Sequence, residues 1–416
     1  MGLLRTSILL VFLCLLTAAQ APAQTGEPLA FDEAARLLLS NNPQSLAAAS
    51  LLEAAESRVT VSRSALYPGF SVGAAYSRAG SDAADAGNSY SYGLSGSQIL
   101  FSPALGAGLK SVIAAYRKAE ADYDQIKIGL LYELKSVFAD LMNARETLRL
   151  SEETLKRRSE NVEIIRLKYE AGRENKAALL ETRSVYTTAQ WQHERYKKNL
   201  RLLERKLNRL LGRAPAAKAE VAELSEPPAP PEDFGSFSGR LERHPSLRSA
   251  RAGVEISQAA VERSRSGFLP EFSASGGYTW AGTDWPDTGR SWSLGARLSL
   301  PLFTSGRLSA DLSAVKSEKA RAEALLKNTR DEVYLDAEDS FLTWRETRLY
   351  MDVVKSSLEA ANARAWILRK QYLAGQASYF EWRNIEDQLI SAENQLLTAR
   401  RNLAVNYAAF IKSLGE

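Results

Sequence analysis

The sequence predicts a mainly α-helical chain that also carries membrane-type β-structure. Each of two tandem copies holds one long helical hairpin and two strands, giving four strands per chain. Three observations carry this expectation. Landmarks recur at an offset of 202 to 203 residues. Short segments alternate polar and apolar residues with a period of two. All fourteen prolines lie at or before Pro301, and none lies between Pro103 and Pro215. Proline interrupts helices, so each half leaves room for helices far longer than a globular domain uses.

Met1 to Ala23 reads as a secretory signal peptide. Arg5 supplies its positive end, Ser7 to Leu16 its apolar core, and Ala21-Pro22-Ala23 a small-residue cleavage site. The alternative is a membrane anchor, but the apolar run is too short to cross about 30 Å of hydrocarbon. Leu13 stands before Cys14, which argues against lipidation. Cleavage removes the only cysteine, and a thiol-free exported chain suits an oxidising compartment. One cysteine and two histidines exclude a disulfide framework and a Cys/His metal cluster. A net charge of +4 on 416 residues is too balanced for a general nucleic-acid binder.

The repeat is read from paired landmarks. Arg63-Ser64-Ala65-Leu66-Tyr67-Pro68-Gly69-Phe70 answers to Arg265-Ser266-Gly267-Phe268-Leu269-Pro270-Glu271-Phe272. Asn42-Pro43 answers to His244-Pro245, Phe101 to Phe303, Tyr169-Glu170-Ala171-Gly172 to Tyr372-Leu373-Ala374-Gly375, and Leu211-Gly212 to Leu414-Gly415. The first repeat then covers 24–212 and the second 237–416. The proline-rich segment 213–236 between them reads as an irregular linker.

Pro43 to Leu66 and Pro245 to Phe268 are helical in pattern, each ending at an x-Pro step. Strands follow at about 69–79 and 89–101, and again at about 271–281 and 291–303. Trp292, Leu294, Ala296 and Leu298 alternate there with Ser293, Gly295, Arg297 and Ser299. Strands of about ten residues with aromatics near the loops fit a transmembrane β-barrel. The alternative is a soluble hairpin with one buried face. The Ser, Gly, Thr and Arg297 faces suit a water-filled lumen instead, although Gln98 and Ile99 break the alternation. Four strands cannot close a barrel, and an open edge in lipid is costly. Several chains must therefore contribute to one barrel.

After Pro103 a coiled-coil seam runs through Val112, Tyr116, Ala119, Tyr123, Ile126, Leu130, Leu134, Val137, Leu141, Ala144 and Leu148. Gly172 and Gly375 are isolated glycines in otherwise helical stretches, and each reads as the turn of an antiparallel hairpin. The hairpins span 103–212 and 304–415. Their return arms are short, and the helices after Pro43 and Pro245 complete them if stacked end to end.

With these features in hand, the chain resembles the TolC-like outer membrane factor family. The resemblance rests on the duplication, on Leu29-Ala30-Phe31-Asp32-Glu33-Ala34 followed by Asn41-Asn42-Pro43, and on the two Y-x-x-G…L-G hairpins. It implies a homotrimer whose twelve-stranded β-barrel in the outer membrane continues into an α-helical barrel across the periplasm. It further implies an exit duct for tripartite efflux or type I secretion, with a periplasmic adaptor, an inner-membrane transporter and outer membrane lipid as partners. By the same resemblance Glu381, Asn384 and Tyr372 belong to the periplasmic aperture, where family members carry acids at both of the first two positions. Ala377 and Ala178 stand where the family has polar closing residues. Glu170, Arg173, Glu174 and Glu181 remain as possible substitutes without assigned pairs. Ala171, Gly172, Asn175, Ala374, Gly375 and Ser378 correspond to the tips that contact the adaptor.

The competing reading is a periplasmic structural or adaptor coiled coil that forms no pore. Enzyme signatures are missing from the sequence. Ser313-Ala314-Val315-Lys316 matches S-x-x-K but lacks the companion motifs. The expectation is a non-enzymatic chain without cofactor or metal.

Overall fold

In the computed structural model, which describes residues 28–81, 84–217, 220–285 and 289–416, the two halves fold alike. The first holds α1 (Phe31–Asn41), α2 (Pro43–Ser64), β1 (Gly69–Ser81), β2 (Ala84–Phe101), α3 (Pro103–Glu170) and α4 (Lys176–Leu210). A 3-10 turn (Phe234–Phe237) and α5 (Ser238–Leu241) lead into the second half. That half holds α6 (Pro245–Ser266), β3 (Glu271–Gly282), β4 (Gly289–Ser299), α7 (Arg307–Leu373) and α8 (Tyr379–Ser413). The expected signal peptide, Met1 to Ala23, lies outside the described residues.

Proline sits where a helix tolerates it. Pro43, Pro103 and Pro245 open α2, α3 and α6, at a position whose N–H has no intrahelical partner. The second long helix starts differently. α7 begins only at Arg307, after Ser305 and Gly306 take φ values of +50° and +80°. The long arms α3 and α7 have 68 and 67 residues, and the return arms α4 and α8 have 35 each.

The short arms are completed by stacking. Asn42 accepts hydrogen bonds from Gln44 N–H and Ser45 N–H to cap α2, while its amide donates to the Leu210 carbonyl at 2.8 Å. One side chain thus joins the start of α2 to the end of α4. Gly212 turns the chain with φ +64°, and a Cβ there would lie 2.7 Å from Asn41 O. In the second half His244 Nδ1 accepts from Ser246 N–H, and a Cβ on Gly415 would lie 2.7 Å from Pro245 Cδ. Across the molecule the columns run α2/α4, α3, α6/α8, α7.

The cores at these junctions are duplicated too. Leu38, Phe138, Leu141, Leu207 and Leu211 form one, and Leu241, Phe341, Trp344, Phe410 and Leu414 form its counterpart. Larger rings fill the second. Trp344 stacks on Phe410 at 5.2 Å, and Phe237 meets Phe410 edge-on.

The predicted α3 seam is fully buried at Leu130, Leu134, Val137, Leu141 and Ala144. Nearer the sheet, Val112, Tyr116 and Ile126 are only half-buried, and the buried residues are Ala107, Ala114 and Ala121. The reason is that α3 is central and packs on both flanks. Val112, Tyr116 and Ile126 share a groove with Ala48, Leu51 and Ala55 of α2. The alanines mark a second heptad seam, bordered by Lys110, Arg117 and Asp124, which pair with Glu262, Glu255 and Arg248 of α6.

The four strands form one antiparallel sheet in chain order, β1-β2-β3-β4. Its register sorts the side chains. Phe70, Val72 and Tyr76 share a face with Tyr92, Leu94, Tyr278, Trp280, Trp292, Leu294 and Leu298. Ser71, Ser95, Gly277 and Ser293 follow one another across the opposite face, and Ser71 and Ser95 hydroxyls lie 2.8 Å apart. Gln98 does fall on the apolar face, opposite Ala274. It stands at the helix end of the sheet, where its amide donates to the Leu66 carbonyl at 3.5 Å. A register shift between Ile99 and Phe101 follows it. Toward the loops Tyr92 stacks on Trp280 at 5.3 Å.

The linker is irregular but bound. Leu29 forms a parallel bridge to Val221, Arg145 donates to Val221 O, and Arg348 pairs with Glu226 at 2.7 Å. Among the described residues no helix is long and apolar enough to cross a membrane.

Candidate functional site

The end of the molecule away from the sheet holds both hairpin turns, and cap chemistry builds them. In the first, Ala171 N–H and Gly172 N–H donate back to the last turn of α3, and Arg173 N–H reaches Lys168 O. Gly172 takes φ +70°, so its backbone carbonyl and amide can turn without a side-chain penalty. Asn175 then caps α4 by accepting from Ala178 N–H at 2.8 Å. The second turn repeats the pattern. Ala374 ends α7, Gly375 has φ +80°, and Gln376 N–H donates to Gln371 O. Ser378 caps α8. All six tip residues of the sequence reading therefore have a cap or turn role. No atom lies within 4 Å of where a Cβ on either glycine would stand, so both turns face open space.

Glu381 completes a capping box. Its carboxylate accepts from the Ser378 amide and hydroxyl, both at 2.8 Å, while Glu381 N–H donates to Ser378 Oγ. These bonds hold the Glu381 carboxyl below the ordinary carboxylate range. Asn384 follows three positions later on the exposed side of α8 and accepts a hydrogen bond from Gln388.

Tyr372 is buried at 2% exposure and ties the hairpins together. Its ring stacks on Trp382 at 4.5 Å. Lys168 of α3 places Nζ 3.6 Å from the ring centre and donates to the Tyr372 carbonyl. The phenol donates to Glu174 in the first turn at 3.3 Å. Burial, reinforced by the Glu174 carboxylate, pushes the phenol well above its usual range, and burial lowers the Lys168 ammonium. Ala178 and Ala377, polar in the resembling family, belong here to an apolar cluster with Ile165, Leu179, Tyr379 and Trp382.

Ion pairs continue the link between hairpins. Arg383 pairs with Glu181, Arg158 with Asp387, and Arg157 with Glu393 at 2.8 Å. Tyr379 and Thr182 hydroxyls lie 2.8 Å apart. Of the four charged residues left unassigned by sequence, Glu174 meets Tyr372, Glu181 meets Arg383, and Glu170 pairs with Arg166 on its own helix. Sequence reading missed Arg157, Arg158, Arg383, Asp387 and Glu393. The repeat offset held a usable signal: Glu181 is the first-repeat counterpart of Asn384.

At the other end Arg297 lies on the hydroxyl face of β4, opposite Ser273. Glu271 shares that face and accepts from the Ser102 hydroxyl. Among the described residues, no group of three or more His, Cys, Asp or Glu is placed to hold a metal ion.

Comparison with known proteins adds the following. The family model described as outer membrane efflux protein matches residues 34–213 and 238–416. The chain is 24% identical over 314 residues to outer membrane protein OprJ of Pseudomonas aeruginosa, covering 73% of this chain and 61% of OprJ. It is 22% identical over 317 residues to the toluene efflux pump outer membrane protein TtgC of Pseudomonas putida, covering 74% and 64%. The matched stretch thus spans less than two thirds of either relative. Among solved structures, the CmeC outer membrane channel of Campylobacter jejuni superposes with TM-score 0.82 at 19% identity, over 92% of this chain and 85% of that one. VceC of Vibrio cholerae gives 0.80 at 16%, over 92% and 96%. At these identities the superpositions establish the fold.

Proposed function

Because the chain belongs to the outer membrane efflux protein family, we propose that it is an outer membrane channel-tunnel. In this role it is the exit duct of a tripartite efflux or type I secretion system. One observation supports this most: the sheet has one apolar face, one hydroxyl face and two unpaired edges, β1 and β4. Backbone groups left unpaired in hydrocarbon cost several kcal/mol each, roughly. Three copies joined β4 to β1 remove every edge and give twelve strands, with the aromatic face toward lipid and the serine face toward water.

On this reading the helical columns form the periplasmic tunnel and Arg297 lines the barrel lumen. Tyr372, Glu381 and Asn384 belong to the narrow mouth. The tip residues Ala171, Gly172, Asn175, Ala374, Gly375 and Ser378 meet a periplasmic adaptor, behind which an inner-membrane transporter supplies the energy. The duct itself needs no cofactor and performs no reaction. Purified protein in a planar bilayer tests the proposal. Unitary conductance steps and outer-membrane fractionation are expected. A soluble monomer without steps would leave the non-pore coiled coil standing. For the mouth, Glu381→Gln is expected to weaken cation selectivity, and an unchanged reversal potential removes Glu381 from that role.

A further inference from the structure

The two outermost helical columns carry opposite charge on the faces turned away from the rest of the molecule. α4 packs on α3 through Thr182, Ala189, His193 and Leu207. On its far side Arg195, Lys198, Arg205 and Arg209 form one stripe, interrupted by exposed Trp191 and Leu202. α7 packs inward through Val333, Ala337, Phe341, Trp344 and Met351. Its far side carries Asp331, Glu338, Asp339 and Glu346 between Leu335, Leu342 and Leu349, which are 52 to 67% exposed. Among the described residues none of these eight charges has an ion-pair partner, although neighbouring charges off the two stripes are paired. Leucines at seven-residue steps on an exposed helix face are what a second helix covers.

The stripes also stand at the same height. The hairpin turns are level, since Glu181 and Arg383 meet at nearly equal distances beyond Gly172 and Gly375. At 1.5 Å per residue, the α4 stripe runs from roughly 28 to 55 Å above its glycine and the α7 stripe from roughly 39 to 66 Å above its own. We propose that the basic edge of α4 docks on the acidic edge of α7 of a second copy of this chain. The seam is head-to-tail, so it continues the β4-to-β1 joint into the helical tunnel and closes at three copies. This rests on the trimeric duct proposed above. It adds which faces meet and that charge sets their register and excludes like-charged pairing of two α4 or two α7 edges.

The native chain has its sole cysteine at Cys14, so introduced cysteines report cleanly. With Leu202→Cys and Leu342→Cys in one chain, a short bismaleimide is expected to give covalent dimers and trimers on a denaturing gel. Either single variant is expected to give none. Arg205→Glu with Arg209→Glu should lose the trimer. Glu338→Arg with Asp339→Arg should lose it likewise, and all four changes together should restore it. Restoration separates a docking seam from a folding defect, which helix content by circular dichroism checks independently. If the unmodified protein is trimeric and conducts, yet the cysteines do not join copies or the reversed charges leave the trimer intact, the seam is wrong while the duct stands. If reversal spares the trimer and abolishes only export, these edges serve a different partner and the proposal also fails. No trimer and no conductance in the unmodified protein would instead remove the duct reading.

Discussion

Removing Asp387 probes the inter-hairpin latch at its most asymmetric point. The Arg158 side chain is 7% exposed and Asp387 is 45% exposed. Asp387→Ala strands a buried guanidinium. Breaking a buried pair costs about 3–5 kcal/mol, whereas an exposed pair is worth about 0–1 kcal/mol. With one partner buried and the other half in water, the cost is set at about 2 kcal/mol, between those limits. At 1.4 kcal/mol per decade, that is roughly a 30-fold rise in the open population. Arg158→Met behaves differently. It removes the buried charge, keeps the apolar stem, and leaves Asp387 with water and with Arg383 at 3.6 Å. Its cost is under about 1 kcal/mol, and the double variant resembles it because no stranded cation remains. Amide exchange of Trp382 to Leu389 in purified protein reads the opening directly, and on the duct proposal the open probability in a planar bilayer reads it a second way. Equal effects of the two single variants, or a larger one for Arg158→Met, would refute the argument.

Three other outcomes follow from the caps. Gly375→Ala is expected to cost about 1–2 kcal/mol from its left-handed backbone alone, since nothing crowds a Cβ there. Gly212→Ala is expected to exceed it, because the same penalty adds to a contact with Asn41 O; thermal midpoints of the two variants check the order. Asn42→Ala removes the cap of α2 and the bond to Leu210 together, and a loss of about 2 kcal/mol is expected, seen as proteolytic cleavage near residue 42. Glu381 is pulled below the ordinary carboxylate range by Ser378. Its cap is therefore fully formed above that range and is lost as pH falls through the depressed value. The protection factor at Ser378 to Glu381, which is exchange corrected for its intrinsic pH dependence, should fall on acidification in the native chain and stay flat in Glu381→Gln.

The hairpins, the strands and the end-to-end stacking were legible because each leaves a periodic or punctuating signal. Pro43, Gly172 and the alternation around Trp292 announce a helix start, a turn and a strand without knowledge of neighbours. What was not legible depends on packing partners. The seam of Ala107, Ala114 and Ala121 is hidden because alanine is a weak apolar marker, and its burial requires α6 alongside. Arg158 and Asp387 lie far apart in the sequence and on different hairpins, so no local pattern joins them. Gln98 breaks the alternation in the sequence, and its partner, the Leu66 carbonyl, is set by the sheet meeting the end of α2.

The duplication sharpens where to seek function at the hairpin-turn end. The turns at Gly172 and Gly375 keep the same backbone bonds and the same left-handed glycine. The residues just beyond them do not match. The first repeat has Ala178 and Glu181 where the second has Glu381 and Asn384. A symmetric set would place carboxylates at matching points of two adjacent hairpins, where they repel. The observed set lets Glu181 reach Arg383 across the gap while Glu381 turns back onto Ser378. Buried Ala178 at the first position clears space for Tyr379 and Trp382 to pack between hairpins. The turn end of the molecule is thus held by the Glu181–Arg383, Asp387–Arg158 and Glu393–Arg157 pairs and by an aromatic plug between the two hairpins. Salt should weaken only the more exposed ion pairs, because burial shields Tyr372 and Trp382 from screening.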